Sequence, residues 1–303
     1  MFTFHPLTDA TRRLLLDGGL DPDGVAAVVR AAVVEDLMGG VDITSEATVP
    51  AHQRSAATFG ARAEGVIAGL PVAVAVIEAV CGDAASDVEH LVSDGDSVSA
   101  GEAVARVTAP TRRLLTAERS ALNLLCHLSG VATLTRRWAD ALAGTGAVVR
   151  DTRKTTPGLR ALEKYAVRCG GGANHRFGLS DAALVKDNHV VAAGGVAEAF
   201  AAVRARAGDL PIEIEVDSVD ALAEAIEAGA DLVLLDNMSV DELRDAVALR
   251  DEIGPSVLLE ASGGLTLERA QAVGETGVDY IAVGELTHSA RVLDIGMDLD
   301  QVF

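Results

Sequence analysis

The chain has 303 residues, 49% of them apolar and only 3% aromatic, with 25 Lys+Arg against 45 Asp+Glu and a formal net charge of −20. That length allows a sizeable core in one large domain or two, filled mainly by Ala and Val, as where helices pack on a buried sheet. The acidity argues against nucleic acid or an anionic membrane as partner, and the chain is expected to be cytoplasmic and soluble, because its start lacks a basic-then-apolar leader and its longest apolar run, 65–77, is short and contains Gly69 and Pro71.

In chain order, Val25, Val28, Val29, Ala32 and Val33 recur at helical spacing and end at Gly39-Gly40. Residues 56–59 and 65–67 read as short strands, 72–80 as a buried helix, and 103–107 as a strand stopped by Pro110. A run of helices is predicted over 111–142, with Leu114, Leu115, Leu122, Leu125 and Leu128 on one face. Cys81, Cys126 and Cys169 form no CxxC and read as reduced core thiols.

From Ala147 the pattern becomes regular. Short apolar runs at 147–154, 183–189, 212–218, 232–237, 258–264 and 280–285 each end in polar residues. Ala-rich helical stretches at 195–207, 219–229, 239–252 and 265–274 separate most of them. This alternation implies a parallel sheet with helical crossovers. Without a Rossmann glycine fingerprint it favours a (β/α) barrel, whose site lies at the carboxyl ends of the strands. Six strands are clear and a seventh is conceivable, so the barrel is expected to be incomplete.

The strand ends carry the chemistry. The chain has only three lysines, Lys154, Lys164 and Lys186, against 22 arginines, and all three lie within 151–189. An ammonium is a compact point charge that a tight site can demand over the planar guanidinium fork. Residues 150–189 hold eight basic and four acidic residues, a net of +4, while the remainder holds 17 and 41, a net of −24. One basic island in an acidic protein suits an anionic small molecule. Arg153, Lys154, His175, Arg176 and Lys186 are the candidate cations for a ligand with several carboxylates or phosphates; some could instead only balance Asp151, Asp181 or Asp187. Lys164 falls on a predicted helix at 158–167, away from a strand end, so its replacement by Arg is expected to be mild. Glu215 and Asp236 end adjacent predicted strands and could share Mg²⁺, or only balance the lysines. Ser262, Gly263, Gly264 and Gly284 follow the last two strands, where small residues let backbone N–H groups approach a phosphate; ordinary turn chemistry is the alternative.

A second signal, VSDGDSVSAGEAVARV at 92–107, resembles the hammerhead of biotinyl and lipoyl carrier domains. Those domains need an attachment lysine, and residues 1–153 contain none, which excludes the carrier function.

The segment DTRKTTPGLRALEKYAVRCGGGANHRFGLSDAALVKDNH at 151–189 resembles the signature of the quinolinate phosphoribosyltransferases. The likeness continues in TAERSALNLLCHLSG at 116–130 and in IEIEVDS, LLDNM, EASGG and AVGELTHS, and spans nearly the whole chain. The resemblance implies an N-terminal α/β sandwich domain over 1–115, an open, about seven-stranded TIM-like α/β barrel over 116–287, and a C-terminal segment, 288–303, packed back on the first domain. It implies a homodimer with shared active sites, or a hexamer of dimers. The implied substrates are quinolinate and 5-phosphoribosyl-1-pyrophosphate (PRPP), with Mg²⁺ as cofactor and nicotinate mononucleotide, pyrophosphate and CO₂ as products. By analogy Arg153, Lys154, His175, Arg176 and Lys186 hold the quinolinate carboxylates, and Arg119 reaches in from the partner subunit. Glu215 and Asp236 bind the ribose hydroxyls and Mg²⁺, and Ser262, Gly263 and Gly284 lie near phosphate groups. Two other readings remain: a homologue acting on a different aromatic carboxylate, and a non-enzymatic anion-binding barrel.

Overall fold

The structure, a computed structural model, describes residues 2–82 and 87–303. By contacts the chain divides into two compact units: Met1–Leu134, Thr156–Gly171 and Ser289–Phe303 in the first, and Thr135–Thr155 and Gly172–His288 in the second.

The first unit is an α/β sandwich. It opens with helices α1 (Asp9–Asp17), α2 (Pro22–Leu37) and α3 (Ile43–Thr48). Thr8, Asp21 and Asp42 cap their N-termini by accepting backbone N–H bonds, and Pro22 sits in the first turn of α2, where its missing N–H costs nothing. β1 (Arg54–Ala61) alternates half-buried and buried residues, the period-2 pattern of a strand with one face on the core. β2 (Gly65–Val66) leads into α4 (Leu70–Cys81), in which every residue except Pro71 is buried, as expected of a helix apolar all round. Asp94 holds the start of this helix, accepting from the N–H groups of Gly69 and Leu70 at 2.7 and 3.1 Å. β3 (Asp87–His90), β4 (Ser97–Val98) and β5 (Ala103–Pro110) follow. β1 lies between β5 and the C-terminal strand Ile295–Val302 in an antiparallel sheet that also includes β3. The chain's last strand is therefore structural to its first domain.

The run of helices predicted over 111–142 is one helix, α5 (Thr111–Ala141), 31 residues long. Leu114, Leu122, Leu125 and Leu128 are buried along it. Because the helix is continuous through the expected junction at 115/116, the division by contacts falls later, after Leu134. α6 (Arg160–Cys169) also belongs to the first unit, where Tyr165 donates to Asp94 at 2.6 Å.

The second unit is an open α/β barrel. Its six strands are β6 (Val148–Arg150), β7 (Ala183–Val185), β8 (Ile212–Val216), β9 (Leu232–Asp236), β10 (Leu258–Ser262) and β11 (Tyr280–Ala282). All pair in parallel in the order β6-β11-β10-β9-β8-β7. A seventh position is reduced to one parallel bridge between Arg150 and Ala173. The crossovers are α7 (Asp187–Ala193), α8 (Val196–Ala207), α9 (Val219–Glu227), α10 (Val240–Ile253), and α11 (Ala270–Gly274) after a short 3₁₀ turn. Ser218 caps α9, and Ser239 with Glu242 closes a capping box on α10. α12 (Glu285–His288) comes after the last strand.

Candidate active site

Every parallel strand delivers its carboxyl end to one side of the sheet, and the cleft of the second unit opens there. It holds about 600 Å³ and is walled by Arg153, Lys154, His175, Arg176, Lys186, Glu215, Asp236, Ser262 and Gly263, together with Thr152, Leu184, Leu234, Asn237, Glu260, Gly264 and Ala282. That volume suits a small ligand rather than a macromolecule. Register fixes the arrangement: Asp236 of β9 stands opposite Ser262 of β10, and Glu215 of β8 opposite Leu234.

The cations come from two segments. Arg153 and Lys154 follow β6, and Thr287 of α12 donates to the Lys154 carbonyl at 2.9 Å. His175 and Arg176 follow the Ala173 bridge, in a loop held by buried Asp151, which accepts from the Asn174 amide at 2.6 Å and the His175 N–H at 2.9 Å. The Arg176 guanidinium donates to the Ala182 carbonyl at 3.0 Å. Its pKa is lowered from the ordinary arginine value by burial first and then by repulsion from Arg153. The Nε atoms of Arg153 and Arg176 are both buried with no hydrogen-bond partner. Two guanidiniums that repel each other, with donors left over, suit a multiply charged anion.

Lys186, at the end of β7, pairs its Nζ with Glu215 Oε2 at 2.5 Å. Asp236 Oδ2 accepts from the Asn237 amide at 2.7 Å. Asn237 is one of two non-glycine residues with positive φ among those described, at 57°. Gly263, at φ 92°, makes room for it: a Cβ there would lie 2.6 Å from Asn237 Cγ and 2.8 Å from its backbone N. Glu215 and Asp236 are hard oxygen donors at neighbouring strand ends, which fits a Mg²⁺ that takes most of its ligands from phosphates and water.

His175 is placed in the cleft but is not one of its cations. Its Nδ1 accepts the Arg176 N–H at 2.7 Å, so the ring proton is on Nε2, which lies 2.7 Å from Glu213 Oε2. The imidazole is therefore neutral, with both nitrogens engaged. His175, Glu213 and Glu260 have one ligand atom each within 4.8 Å of one another, the spacing of a metal site. The ring has no lone pair left for a metal, and Arg150 already donates to Glu260 Oε2 at 2.6 Å.

Two expected residues are not among those that line this cleft. Gly284 instead gives space to Lys154, whose Cδ would stand 3.0 Å from a Cβ at that position. Arg119 is exposed on α5 in the first unit. Lys164, expected on sequence grounds to tolerate Arg, is fully buried. A helical repeat that averages over all faces does not show that this lysine points inward. Sequence reasoning passes over Thr152, Asn237 and Glu260 as site residues. Asn237 and Glu260 stand inside the motifs LLDNM and EASGG, but nothing in a single sequence marks an inward-facing carboxylate on a strand. Cys81 is buried, and burial pushes its thiol up to about 12, which makes it a poor nucleophile.

Residues 42–129 match the quinolinate phosphoribosyl transferase N-terminal domain family, and residues 131–298 match its C-terminal domain family. The chain is 53% identical over 277 residues to a nicotinate-nucleotide pyrophosphorylase [carboxylating] of Mycobacterium leprae, covering 91% of this chain and 98% of that protein. It is 43% identical to a probable enzyme of the same name from Bacillus subtilis, over 88% of this chain and 90% of the relative. Among solved structures it resembles NadC from Streptococcus pyogenes, with a TM-score of 0.87, 38% identity, and coverage of 94% of this chain and 98% of the other. The nicotinate-nucleotide pyrophosphorylase of Francisella tularensis gives 0.85 at 35% identity, with 92% and 96% covered.

Proposed function

This chain belongs to the quinolinate phosphoribosyltransferase family, and from that premise we propose how its cleft serves the reaction. The enzyme is a phosphoribosyltransferase of NAD biosynthesis: it joins quinolinate to PRPP and yields nicotinate mononucleotide, pyrophosphate and CO₂.

In this reading Arg153 and Arg176 clamp the two quinolinate carboxylates, and Lys154 and Lys186 complete the cationic wall. The observation that carries it is the mutual repulsion of Arg153 and Arg176, whose Nε donors are buried without partners. His175 contributes as a neutral ring that fixes the Arg176 amide. Glu215 and Asp236 bind the ribose hydroxyls and would hold Mg²⁺ together with the diphosphate; Asn237 aims the Asp236 carboxylate. Held there, the ion would supply positive charge to offset that of the pyrophosphate leaving group. Ser262, Gly263 and Gly264 offer close backbone approach to a phosphate, and Gly284 serves indirectly by seating Lys154.

The clamp sets the pyridine nitrogen against the anomeric carbon, so that orientation lowers the barrier to ribosylation. The C1–O bond to pyrophosphate breaks with oxocarbenium-like character, and the nitrogen lone pair forms the new C1–N bond. The ring becomes a pyridinium, whose N⁺ stabilises the electron pair left on C2 when the 2-carboxylate departs as CO₂, and a proton takes that pair to give the C2–H of nicotinate mononucleotide.

The active unit is a cytoplasmic homodimer in which Arg119 of each subunit completes the other's site. No helix among the described residues is long and apolar enough to cross a membrane. Binding of quinolinate, measured by calorimetry, should be lost in Arg153→Ala and Arg176→Ala while the fold is kept. Wild-type affinity in both variants would refute the clamp.

A further inference from the structure

Behind the cationic wall lies a buried group of charges. Glu260 on β10 is 0% exposed, Glu213 on β8 4%, and His175 8%. Arg150 of β6 donates to Glu260 Oε2 at 2.6 Å and has its Cζ 4.5 Å from the Tyr280 ring centre. His175 Nε2 donates a hydrogen bond to Glu213 Oε2 and lies 3.5 Å from Glu260 Oε1. The remaining oxygens, Glu213 Oε1 and Glu260 Oε1, are buried without a hydrogen-bond partner.

The charges of this group do not balance. Within the hydrogen-bonded group two carboxylates face one guanidinium, Arg150, and a neutral imidazole, while Arg176 acts on Glu213 from outside the group. A buried excess charge is costly, and a shared site for two carboxylates resolves it by keeping a proton on one of them. Glu260 is the one that lines the cleft. With Oε2 committed to Arg150, Oε1 is the oxygen that carries the proton.

Decarboxylation of quinolinate, the reaction proposed for this cleft and the premise on which the role of Glu260 rests, needs a proton at this point. When the bond between C2 and its carboxyl carbon breaks, CO₂ leaves and both electrons stay on C2. We propose that Glu260 is the catalytic acid that protonates C2 of the pyridine nucleotide as its carboxylate departs as CO₂. The C2 electron pair takes the proton from Glu260 Oε1, a C2–H bond forms, and Glu260 is left as a carboxylate paired with Arg150. Water returns the proton once the product has gone.

Burial first, and then the Glu213 carboxylate, raise Glu260 to about 7, against the opposing pull of Arg150 and of His175. The groups that face it are Glu213 from β8, Arg150 from β6, His175 from the loop after Ala173, and Tyr280, its register partner on β11; its β9 neighbour is Leu234. The acid form is needed, so proton delivery should weaken as pH rises through that value.

The test is a single turnover with Mg²⁺, PRPP and enzyme in excess over quinolinate, monitoring pyrophosphate and CO₂ separately. Glu260→Gln keeps the shape of the neutral acid and removes the transferable proton. Its CO₂ release should slow by about 100-fold, well behind pyrophosphate, with a mononucleotide that retains both carboxylates accumulating. Equal slowing of both products, or no slowing, would overturn the proposal. The wild-type enzyme supplies a second check that needs no variant. Its CO₂ step should slow above pH of about 7 while pyrophosphate release stays level, and a level CO₂ step would also overturn it. If wild-type enzyme releases no pyrophosphate with quinolinate, the reaction assignment itself fails and the proposal falls with it.

Discussion

Lys186 and Glu215 neutralise each other across neighbouring strands, Nζ to Oε2 at 2.5 Å, at the mouth of a cleft that otherwise carries an excess of cations. An ammonium can swing between this carboxylate and a ligand oxygen, whereas a guanidinium fork needs a wider, planar seat. Lys154 is confined as well, since its Cδ packs against the bare Cα of Gly284. Lys154→Arg and Lys186→Arg should each lower kcat/KM by at least about tenfold, or about 1.4 kcal/mol, in steady-state assays with quinolinate. Near-wild-type values would mean that charge alone suffices.

Lys164→Arg should act through stability. The side chain is fully buried in α6, so a longer, forked replacement overfills its space, at about 1–3 kcal/mol. Urea unfolding should show the loss. An unchanged midpoint would show that the pocket has slack.

Gly263→Ala should disable the Asp236 end of the cleft. The position has φ 92°, and the new methyl would press on Asn237, itself left-handed at 57°. The backbone strain alone is of order 1–3 kcal/mol. We expect the KM for PRPP to rise with a smaller change for quinolinate, measured by varying each substrate. Equal effects on both would detach Asn237 from the ribose side.

Much of this was legible in the sequence for a physical reason. The runs at 212–218, 232–237 and 258–264 are parallel strands buried between layers, so their apolar stretches are continuous and their polar ends mark one face of the sheet. Arg153, Lys154, Arg176 and Lys186 stood out by composition, because a basic island is conspicuous in an acidic chain. The C-terminal strand Ile295–Val302 had no such mark, since its partner β1 lies more than two hundred residues away in sequence. The neutrality of His175 depends on which nitrogen meets the Arg176 amide, a matter of local geometry that residue identity does not set. Glu213 and Glu260 alternate with strand residues of similar spacing that face elsewhere, and only the fold brings them to His175.

Subunit exchange tests the role of Arg119. Arg119→Ala and Lys154→Ala should each be nearly inactive alone. After unfolding, equal mixing and refolding, half the dimers are hetero, and two-fold symmetry leaves about a quarter of all sites intact if Arg119 serves the partner. Verified exchange without recovered activity would place Arg119 in its own subunit's machinery or outside the site.

The central claim is that this cleft takes a 2,3-dicarboxylated pyridine and expels one of its carboxylates. Purified protein with Mg²⁺ and PRPP should convert quinolinate to nicotinate mononucleotide, with pyrophosphate and CO₂ released in equal amounts. Nicotinate should turn over poorly, because it leaves part of the Arg153–Arg176 clamp unpaired. Equal turnover of nicotinate, or nucleotide formed from quinolinate without CO₂, would contradict the account.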